Sequence, residues 1–295
     1  EIPLRLVGSE MCIRDSYRHP PLFAAAMFDP YLSRWNLVPD GAPLTTPAAR
    51  LLPVRQAGVP AMLKVSVEED ERQGGVLMTW WDGQGAARVL AHDADAILLE
   101  RATGTRSLAA YARTGRDDEA TRIICGVLRE LHAPRAKPLP PLRPLREWFV
   151  DLWPMAQARG GLLAHSARHA RALLDDPQDP VVLHGDVHHD NILDFGDRGW
   201  LVIDPKRLYG ERGFDYANVF CNPDLADPNP AVAIVPGCFE RRLDIMVDES
   251  GLERRRLLQW VVAWCGLSAA WFLGDGDDAA IDLNIAAQAL ALLEG

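Results

Sequence analysis

The sequence lacks paired cysteines, an excess of basic residues and a hydrophobic run long enough to cross a membrane. Its five cysteines, at positions 12, 125, 221, 238 and 265, form no CxxC pair. This pattern is typical of reduced, mostly buried thiols in a cytoplasmic protein. Arg and Lys total 31 against 41 Asp and Glu, and the net charge of −10 argues against a nucleic-acid partner. The longest uncharged stretch, residues 257–273, is short for a bilayer span, and it predicts a buried core helix and no membrane partner.

The chain length and its first residues set the domain organisation that we expect. A chain of 295 residues is close to the size at which a single core divides in two. Residues 1–16, EIPLRLVGSEMCIRDS, show no sequence pattern that continues into the rest of the chain. The segment EMCIRDS back-translates to a nucleotide sequence that resembles a transposon-end tag. We therefore expect residues 1–16 to be non-native, with an ordinary short strand and loop as the alternative. The predicted lobes are residues 17–101 (N-lobe) and 102–295 (C-lobe).

Hydrophobic periodicity predicts an α+β fold with a strand-rich first third and a helix-rich remainder. Residues 49–66 are interpreted as a β-hairpin, residues 68–81 as a helix despite Gly74 and Gly75, and residues 86–100 as two strands. After Glu100, the predicted helices are residues 117–132, 146–159, 162–174 and 252–273, and short strands flank a turn at residues 195–199. The remainder of the chain is predicted to be helical.

The segment HGDVHHDN, residues 184–191, carries the strongest chemical signal and has two interpretations. A zinc site could be built from His184, His188 and Asp190. However, H-x₃-H-H-D matches no common zinc spacing, and no further Cys or His follows at a suitable distance. Zinc is therefore the weaker hypothesis.

The same letters fit a phosphoryl-transfer loop. Kinase catalytic loops place an aspartate five positions before an asparagine, and a metal-binding aspartate follows on the next hairpin. Asp186, Asn191 and Asp204 have this spacing. Hard oxygen ligands of this kind suit Mg²⁺ bound together with ATP phosphates. The alternative is that Asp186 and Asn191 only tighten turns.

Upstream residues complete this prediction in part. Lys64 ends an apolar strand, as a phosphate-binding lysine would, and Glu71 lies on the following helix in position to pair with it. Glu68 and Glu69 are the alternative partners. No GxGxxG loop is present, and LTTPAAR at residues 44–50 occupies its place.

The motifs LHGDVHHDNIL, RGWLVIDPKRLYGERGFDYAN, MLKVS and QWVVAWCGLSAAW resemble those of the aminoglycoside phosphotransferases. The resemblance is strongest to the branch of streptomycin 6-kinases and hydroxyurea-resistance kinases. It implies a two-lobed, protein-kinase-like fold, with a small β-rich N-lobe that carries one key helix and a larger helical C-lobe. It also implies these roles: Asp186 as the catalytic aspartate, Asn191 and Asp204 as Mg²⁺ ligands, Lys64 and Glu71 at the ATP phosphates, and the backbone of Glu100 to Ala102 at adenine.

Other residues receive supporting roles from the resemblance. His184 and Asp215 are expected to tie the catalytic loop to the following helix. His188 stands where protein kinases carry a phosphate-directed lysine, and either a γ-phosphate contact or loop packing would explain it.

The acceptor is expected to be a small molecule, either an aminoglycoside of the streptomycin type or hydroxyurea. A cationic drug would suit an acidic pocket, although solvated surface acids are the alternative for every candidate. Another metabolite alcohol, or a catalytically impaired nucleotide-binding protein, stays open, and the oligomeric state is not predicted. The candidate acidic residues are Asp224, Asp227, Asp275, Asp277 and Asp278.

Overall fold

The computed structural model describes residues 27–46, 49–66 and 69–295, and of residues 69–73 it describes the backbone alone. Residues 1–16 lie outside the described part of the chain. The expectation that they are non-native therefore stays a prediction.

The first third of the chain forms an antiparallel sheet of six strands. The strand order is β1-β3-β4-β6-β5, and β2 pairs with the first residues of β3, near Arg50 and Leu51. The predicted hairpin of residues 49–66 is confirmed, because β3 and β4 pair along their whole length from Ala49–Ser66 to Gln56–Val59. The strands, preceded by helix α1 (Asp29–Arg34), are β1 (Leu37–Pro39), β2 (Leu44–Thr45), β3 (Ala49–Gln56), β4 (Val59–Ser66), β5 (Val89–His92) and β6 (Ala96–Glu100).

The predicted helix is present as α2 (Glu69–Trp81). It lies between β4 and β5 along the chain and contacts both strands. Its two glycines permit a close approach to neighbouring segments. A Cβ atom at Gly74 would lie 2.8 Å from the carbonyl oxygen of Pro205, and one at Gly75 would lie 2.7 Å from Nε2 of His92. Glycine lowers helix propensity, so these two positions exchange some local stability for close packing. The helix therefore lies directly against the backbone that follows Asp204.

The remainder of the chain is mainly helical and contains the larger core cluster. Two small sheets interrupt it: β9 pairs with β10, and β11 lies between β7 and β8. The helices are α3 (Leu108–Arg113), α4 (Asp117–Leu131), α5 (Leu145–Trp148), α6 (Leu152–Arg159), α7 (Gly161–Asp175), α8 (Gly213–Ala217), α9 (Cys238–Ser250), α10 (Arg254–Asp275) and α11 (Ala280–Glu294). The strands are β7 (Arg143–Pro144), β8 (Pro180–Leu183), β9 (Ile192–Asp194), β10 (Trp200–Val202) and β11 (Leu208–Glu211).

Helix α10 is the centre of the C-terminal part. The carboxylate of Glu253 accepts hydrogen bonds from the backbone N–H groups of Arg255 and Arg256, at 2.8 and 2.7 Å, and so caps its first turn. Within the described residues it is the one helix long and apolar enough to span a bilayer, but 72% of its most apolar window is buried inside the protein. The predicted core helix is therefore confirmed.

Two predictions of secondary structure were wrong. The helix predicted over residues 146–159 is divided into α5 and α6, because Pro154 has no N–H to donate to the carbonyl of Val150. Residues 222–237, predicted to be helical, form turns and bends, and this stretch holds four prolines. Both interruptions follow from the same property of proline.

The four cysteines in the described part of the chain are free and buried, as expected for reduced thiols. Cys221 and Cys265 have their Sγ atoms 3.5 Å apart, and the carboxylate of Asp282 lies beside them. Burial raises the pKa of both thiols and raises the pKa of Asp282 to about 7. The carboxyl group of Asp282 is therefore protonated in the folded protein under mildly acidic conditions.

The position of Asp282 predicts a specific pH dependence of stability. The pKa of Asp282 is higher in the folded state than in the unfolded chain. The stability that its protonated carboxyl group contributes to the folded state is therefore fully present below about pH 4 and is lost as the pH rises through about 7. Replacement by asparagine removes the ionisation and preserves the shape. We expect Asp282→Asn to raise the melting temperature near pH 8 by several degrees more than near pH 5, since about 1 kcal/mol corresponds to about 2–4 °C in large domains.

Thermal unfolding at the two pH values measures this difference. Asp277→Asn, at an exposed position, is the matched control and should change the melting temperature equally at both. An equal change in Asp282→Asn would contradict the prediction.

Candidate active site

Strand β8 leads into a loop, residues 184–191, whose backbone is held by two buried side chains. Asp215, on α8, accepts hydrogen bonds from the backbone N–H groups of His184 (2.9 Å) and Gly185 (2.8 Å). The Nε2 atom of His184 lies 2.7 Å from the carbonyl of Ile203, and its Nδ1 accepts the N–H of Asp186 at 3.2 Å. These partners assign the neutral tautomer with hydrogen on Nε2, and burial lowers the pKa of His184 in the same sense.

The turn at the start of this loop requires glycine. Gly185 has φ +86°, and a Cβ atom there would lie 2.8 Å from the side chain of Leu208. A residue with a side chain would meet both backbone strain and a steric clash at this position. The turn directs the side chain of the next residue, Asp186, which is partly exposed.

Asp186 and Asn191, the first two residues of the predicted triad, are in contact. The amide nitrogen of Asn191 donates to the carbonyl oxygen of Asp186 at 2.9 Å and lies 3.4 Å from its Oδ2. The amide oxygen of Asn191 is buried and has no hydrogen-bond partner among the described residues. A buried oxygen without a donor is costly unless a ligand satisfies it, and a hard cation is a suitable one.

Asp204, the third residue, follows β10 and lies beside Lys64 of β4. The Nζ of Lys64 and Oδ1 of Asp204 are 2.7 Å apart, with the lysine side chain 7% exposed and the aspartate 22% exposed. Asp204 has φ +59°, in the left-handed region that non-glycine residues adopt infrequently. Strained backbone of this kind is concentrated at functional sites. Ion pair and strain together direct a carboxylate into the space between the sheet and the helical part.

A narrow cavity opens at this ion pair, and its walls come from both parts of the chain. Apolar side chains face one another across it, as is typical of a small-molecule site with a few convergent polar groups. Asp186 is not among the lining residues. The cavity is lined by Leu51, Met62 and Leu99 on the sheet side, Leu193, Phe195 and Ile203 on the helical side, Lys64 and Asp204, and residues 100–102.

The segment that joins the two parts is fastened on both sides. The carboxylate of Glu100 accepts the backbone N–H of Arg88 and pairs with Arg198, and the N–H of Glu100 donates to the carbonyl of Arg88 at 2.9 Å. Beyond Ala102, Arg106 forms two hydrogen bonds of 2.7 Å with the carboxylate of Asp194. Residues 100–106 are therefore held at both ends, and residues 100–102 line the cavity.

The other histidines of the loop are buried. Nδ1 of His188 accepts the backbone N–H of Asp190 at 3.2 Å, and burial lowers the pKa of His188 to about 4. Burial also lowers the pKa of His189 well below its ordinary value. His188 is uncharged at neutral pH and cannot replace a phosphate-directed lysine by charge, so loop packing explains it better. The side chains of Glu69 and Glu71, and the whole of Glu68, lie outside the described residues.

The acidic candidates for an acceptor pocket are dispersed. Asp224 is buried, and its carboxylate accepts the backbone N–H groups of Val232 and Ala233 at 2.9–3.0 Å. Asp224 therefore stabilises the loop of residues 224–233. The sequence instead predicted that this residue contacts the substrate. Asp227 is exposed near Arg113. Asp275, Asp277 and Asp278 are exposed at the end of α10, where Asp275 borders a separate cleft with Asp151 and Trp271.

Sequence reasoning missed two side chains that contact the loop or its anchor. Nε2 of His132, at the end of α4, lies 2.9 Å from Oδ2 of Asp215. The amide nitrogen of Asn218 lies 3.2 Å from Oδ1 of Asp186. Neither residue lies near the loop in sequence. The signal that could have found Asn218 is its position three residues after Asp215 in GFDYAN.

Comparison with known proteins identifies the family of this chain. The family model described as aminoglycoside/hydroxyurea antibiotic resistance kinase matches residues 34–276. The streptomycin 3''-kinase of Klebsiella pneumoniae is 56% identical over 267 residues, which cover 89% of this chain and 100% of that protein. The streptomycin 6-kinase of Streptomyces glaucescens is 32% identical over 90% of this chain and 88% of that protein.

The fold has solved counterparts. A thermostable mutant of the aminoglycoside phosphotransferase APH(4)-Ia, in a ternary complex with ADP and hygromycin B, matches with a TM-score of 0.60 and 14% identity over 90% of this chain and 96% of that chain. The predicted protein-kinase-like architecture and the predicted family are thereby confirmed. The protein belongs to the aminoglycoside/hydroxyurea antibiotic resistance kinase family.

Proposed function

We propose that this protein transfers the γ-phosphoryl group of ATP to a hydroxyl group of streptomycin. The observation that carries the proposal is 56% identity over the whole length of a streptomycin 3''-kinase. The contact between Asn191 and Asp186 supports it, and so does the position of Asp204 beside Lys64 in the lining of a two-sided cavity. ATP use and the free, buried state of the four cysteines among the described residues suit a cytoplasmic enzyme.

The nucleotide would occupy the cavity between the N-lobe, residues 17–101, and the C-lobe, residues 102–295. A planar adenine ring would lie between the two apolar walls, with the backbone of Glu100 and Ala102 at its edge. The phosphates would extend towards Lys64, whose ammonium group offsets their negative charge. We assign Glu71 to hold Lys64 from α2, because the helix starts within one short connection of β4.

The donor set suits Mg²⁺. Asp204 supplies a carboxylate, and Asn191 supplies a buried oxygen without another donor among the described residues. Bound there with ATP, the ion would neutralise charge on the phosphates. His184 and Asp215 hold the loop that presents Asn191.

Asp186 is the residue that would meet the acceptor. Its carboxylate is partly exposed, and it lies outside the nucleotide cavity. Phosphoryl transfer passes through a loose transition state, so a carboxylate acts mainly by directing the hydroxyl group in line and by accepting its proton late. The carboxylate of Asp186 would therefore have two roles: it would position the acceptor hydroxyl and accept its proton.

The 3''-hydroxyl is the position that we propose, because identity to the 3''-kinase is 56% and to the 6-kinase 32%. ADP release should depend on streptomycin when the protein is incubated with Mg·ATP and a panel of aminoglycosides plus hydroxyurea. Mass spectrometry and phosphorus–proton NMR of the product locate the phosphate. Phosphate on the 6-hydroxyl would contradict the position, and turnover with hydroxyurea alone would contradict the acceptor.

Two other outcomes identify the alternatives. ATP binding without turnover on any acceptor would indicate a nucleotide-binding protein that has lost catalysis. Turnover only with another alcohol would indicate a metabolite kinase of the same fold, since a fold does not determine its acceptor.

A further inference from the structure

A buried chain of polar side chains leads from the core of the C-lobe to Asp186. The amide nitrogen of Asn218 donates to Oδ1 of Asp186 at 3.2 Å. The amide oxygen of Asn218 in turn accepts the side-chain N–H of Asn222 at 2.8 Å. Asn218 and Asn222 are 3% and 4% exposed. The –NH₂ group and the oxygen of the Asn218 side chain therefore both have hydrogen-bond partners.

The orientation of the Asn218 amide follows from its neighbours. An ionised carboxylate only accepts hydrogen bonds, so the group facing Asp186 has to be the –NH₂. Asn222 strengthens this assignment, because its own –NH₂ donates to both the backbone carbonyl and the amide oxygen of Asn218, at 3.1 and 2.8 Å. The reverse orientation would set two donors against each other and two acceptors against each other.

The turn that carries these two asparagines is fixed by a buried arginine. Arg242 of α9 is fully buried and donates to the carbonyl groups of Val219 (2.8 Å) and Asn222 (2.6 Å). Its guanidinium also forms two hydrogen bonds with the carboxylate of Asp117, at 2.6 and 3.0 Å. A fully satisfied, bidentate pair of this kind is rigid, and it holds the turn of residues 218–222 in place.

We propose that Asn218 is a positioning residue for the phosphoryl-transfer reaction: its hydrogen bond holds the carboxylate of Asp186 in one rotamer and so directs it at the acceptor hydroxyl. The proposal rests on the proposed function. On the other side, the Asn191 amide is 3.4 Å from Oδ2 of Asp186 and donates mainly to the backbone. The contact from Asn218, which directly follows α8, is shorter than the contact from Asn191, at 3.2 Å.

Two variants of Asn218 separate positioning from folding. Asn218→Ala removes the donor but leaves Asn222 a backbone acceptor, so we expect kcat to fall by about 10- to 100-fold while KM for ATP changes by less than about twofold. Asn218→Asp has the same shape. Its carboxyl group can still donate to Asp186 while the two groups share one proton, but at higher pH the two negative charges repel.

The pH profile is the decisive measurement. We expect the ratio of kcat for Asn218→Asp to kcat for the wild type to fall by at least about tenfold between about pH 5.5 and pH 8. Asn284→Asp adds the same charge at an exposed position and should keep a constant ratio. If Asn218 only supported the fold, the ratio of kcat for Asn218→Asp to kcat for the wild type would stay constant with pH, as it should for Asn284→Asp.

Three results distinguish the proposals. A constant ratio for Asn218→Asp across the pH range, or an Asn218→Ala enzyme within about twofold of wild-type kcat, would overturn the role of Asn218 alone. Wild-type protein without turnover on any acceptor would overturn the proposed function and this inference together. Melting temperatures within a few degrees of the wild type show that the variants are folded.

Discussion

Replacement of Asp186 by alanine is expected to reduce kcat by about 10²- to 10⁴-fold, the range typical of a positioned acid–base group. The remaining rate would come from nucleotide positioning by the rest of the site. Because Asp186 does not line the cavity, the dissociation constant for Mg·ATP should change little. Steady-state ADP release with streptomycin and calorimetric titration of Mg·ATP measure the two quantities separately.

The matched control is Asp197→Ala, which removes an exposed carboxylate from the turn between β9 and β10. It should retain wild-type kcat and nucleotide affinity. If Asp186→Ala had a kcat within about twofold of the wild type, Asp186 would not be the catalytic aspartate.

Replacement of Asp204 by alanine is expected to lower kcat/KM for ATP by at least about 10²-fold, because the site loses a ligand of the Mg²⁺ ion that would neutralise charge on the phosphates. Unlike Asp186→Ala, this variant should also bind Mg·ATP more weakly. The carboxylate pairs with Lys64 at 2.7 Å, so its removal alters the charge balance at the inner end of the cavity. The two variants therefore separate turnover from nucleotide affinity.

Titration of ATP with and without Mg²⁺ tests the assignment of Asp204. The wild type should gain affinity when the ion is added, and Asp204→Ala should lose most of that gain. Equal gains in the two proteins would exclude Asp204 as a magnesium ligand. Asp197→Ala again serves as the control for loss of one carboxylate.

Prediction from sequence was most successful where the chemistry lies within one short segment. The loop from His184 to Asn191 brings Asp186 and Asn191 together because five residues cannot separate them widely. The β3–β4 hairpin, helix α2 and core helix α10 were predicted for a related reason, since periodicity is a local property. Local signals also exist for the divided helix and for the segment after Asn222, because prolines interrupt both.

Side chains that meet across long sequence separations could not be predicted in this way. His132 reaches Asp215 across 83 residues, and Arg242 reaches Asp117 across 125. The sequence did not show which acidic side chains are engaged within the protein: Asp224 was a candidate for the acceptor pocket, and its carboxylate accepts backbone N–H groups of Val232 and Ala233. Gly74 is similar, since only the neighbouring Pro205 carbonyl explains a glycine inside a helix.

The order of residues along the chain was sufficient to determine the class of this protein: an α+β kinase fold with an aspartate, an asparagine and a second aspartate in sequence. Tertiary structure alone showed that the side-chain oxygen of Asn191 has no hydrogen-bond donor among the described residues, that Lys64 and Asp204 are 2.7 Å apart, and that Asn218 donates to Asp186. The reason is physical. Spacing along a strand or loop controls neighbours a few ångströms apart, whereas contacts between distant segments depend on how the whole core packs.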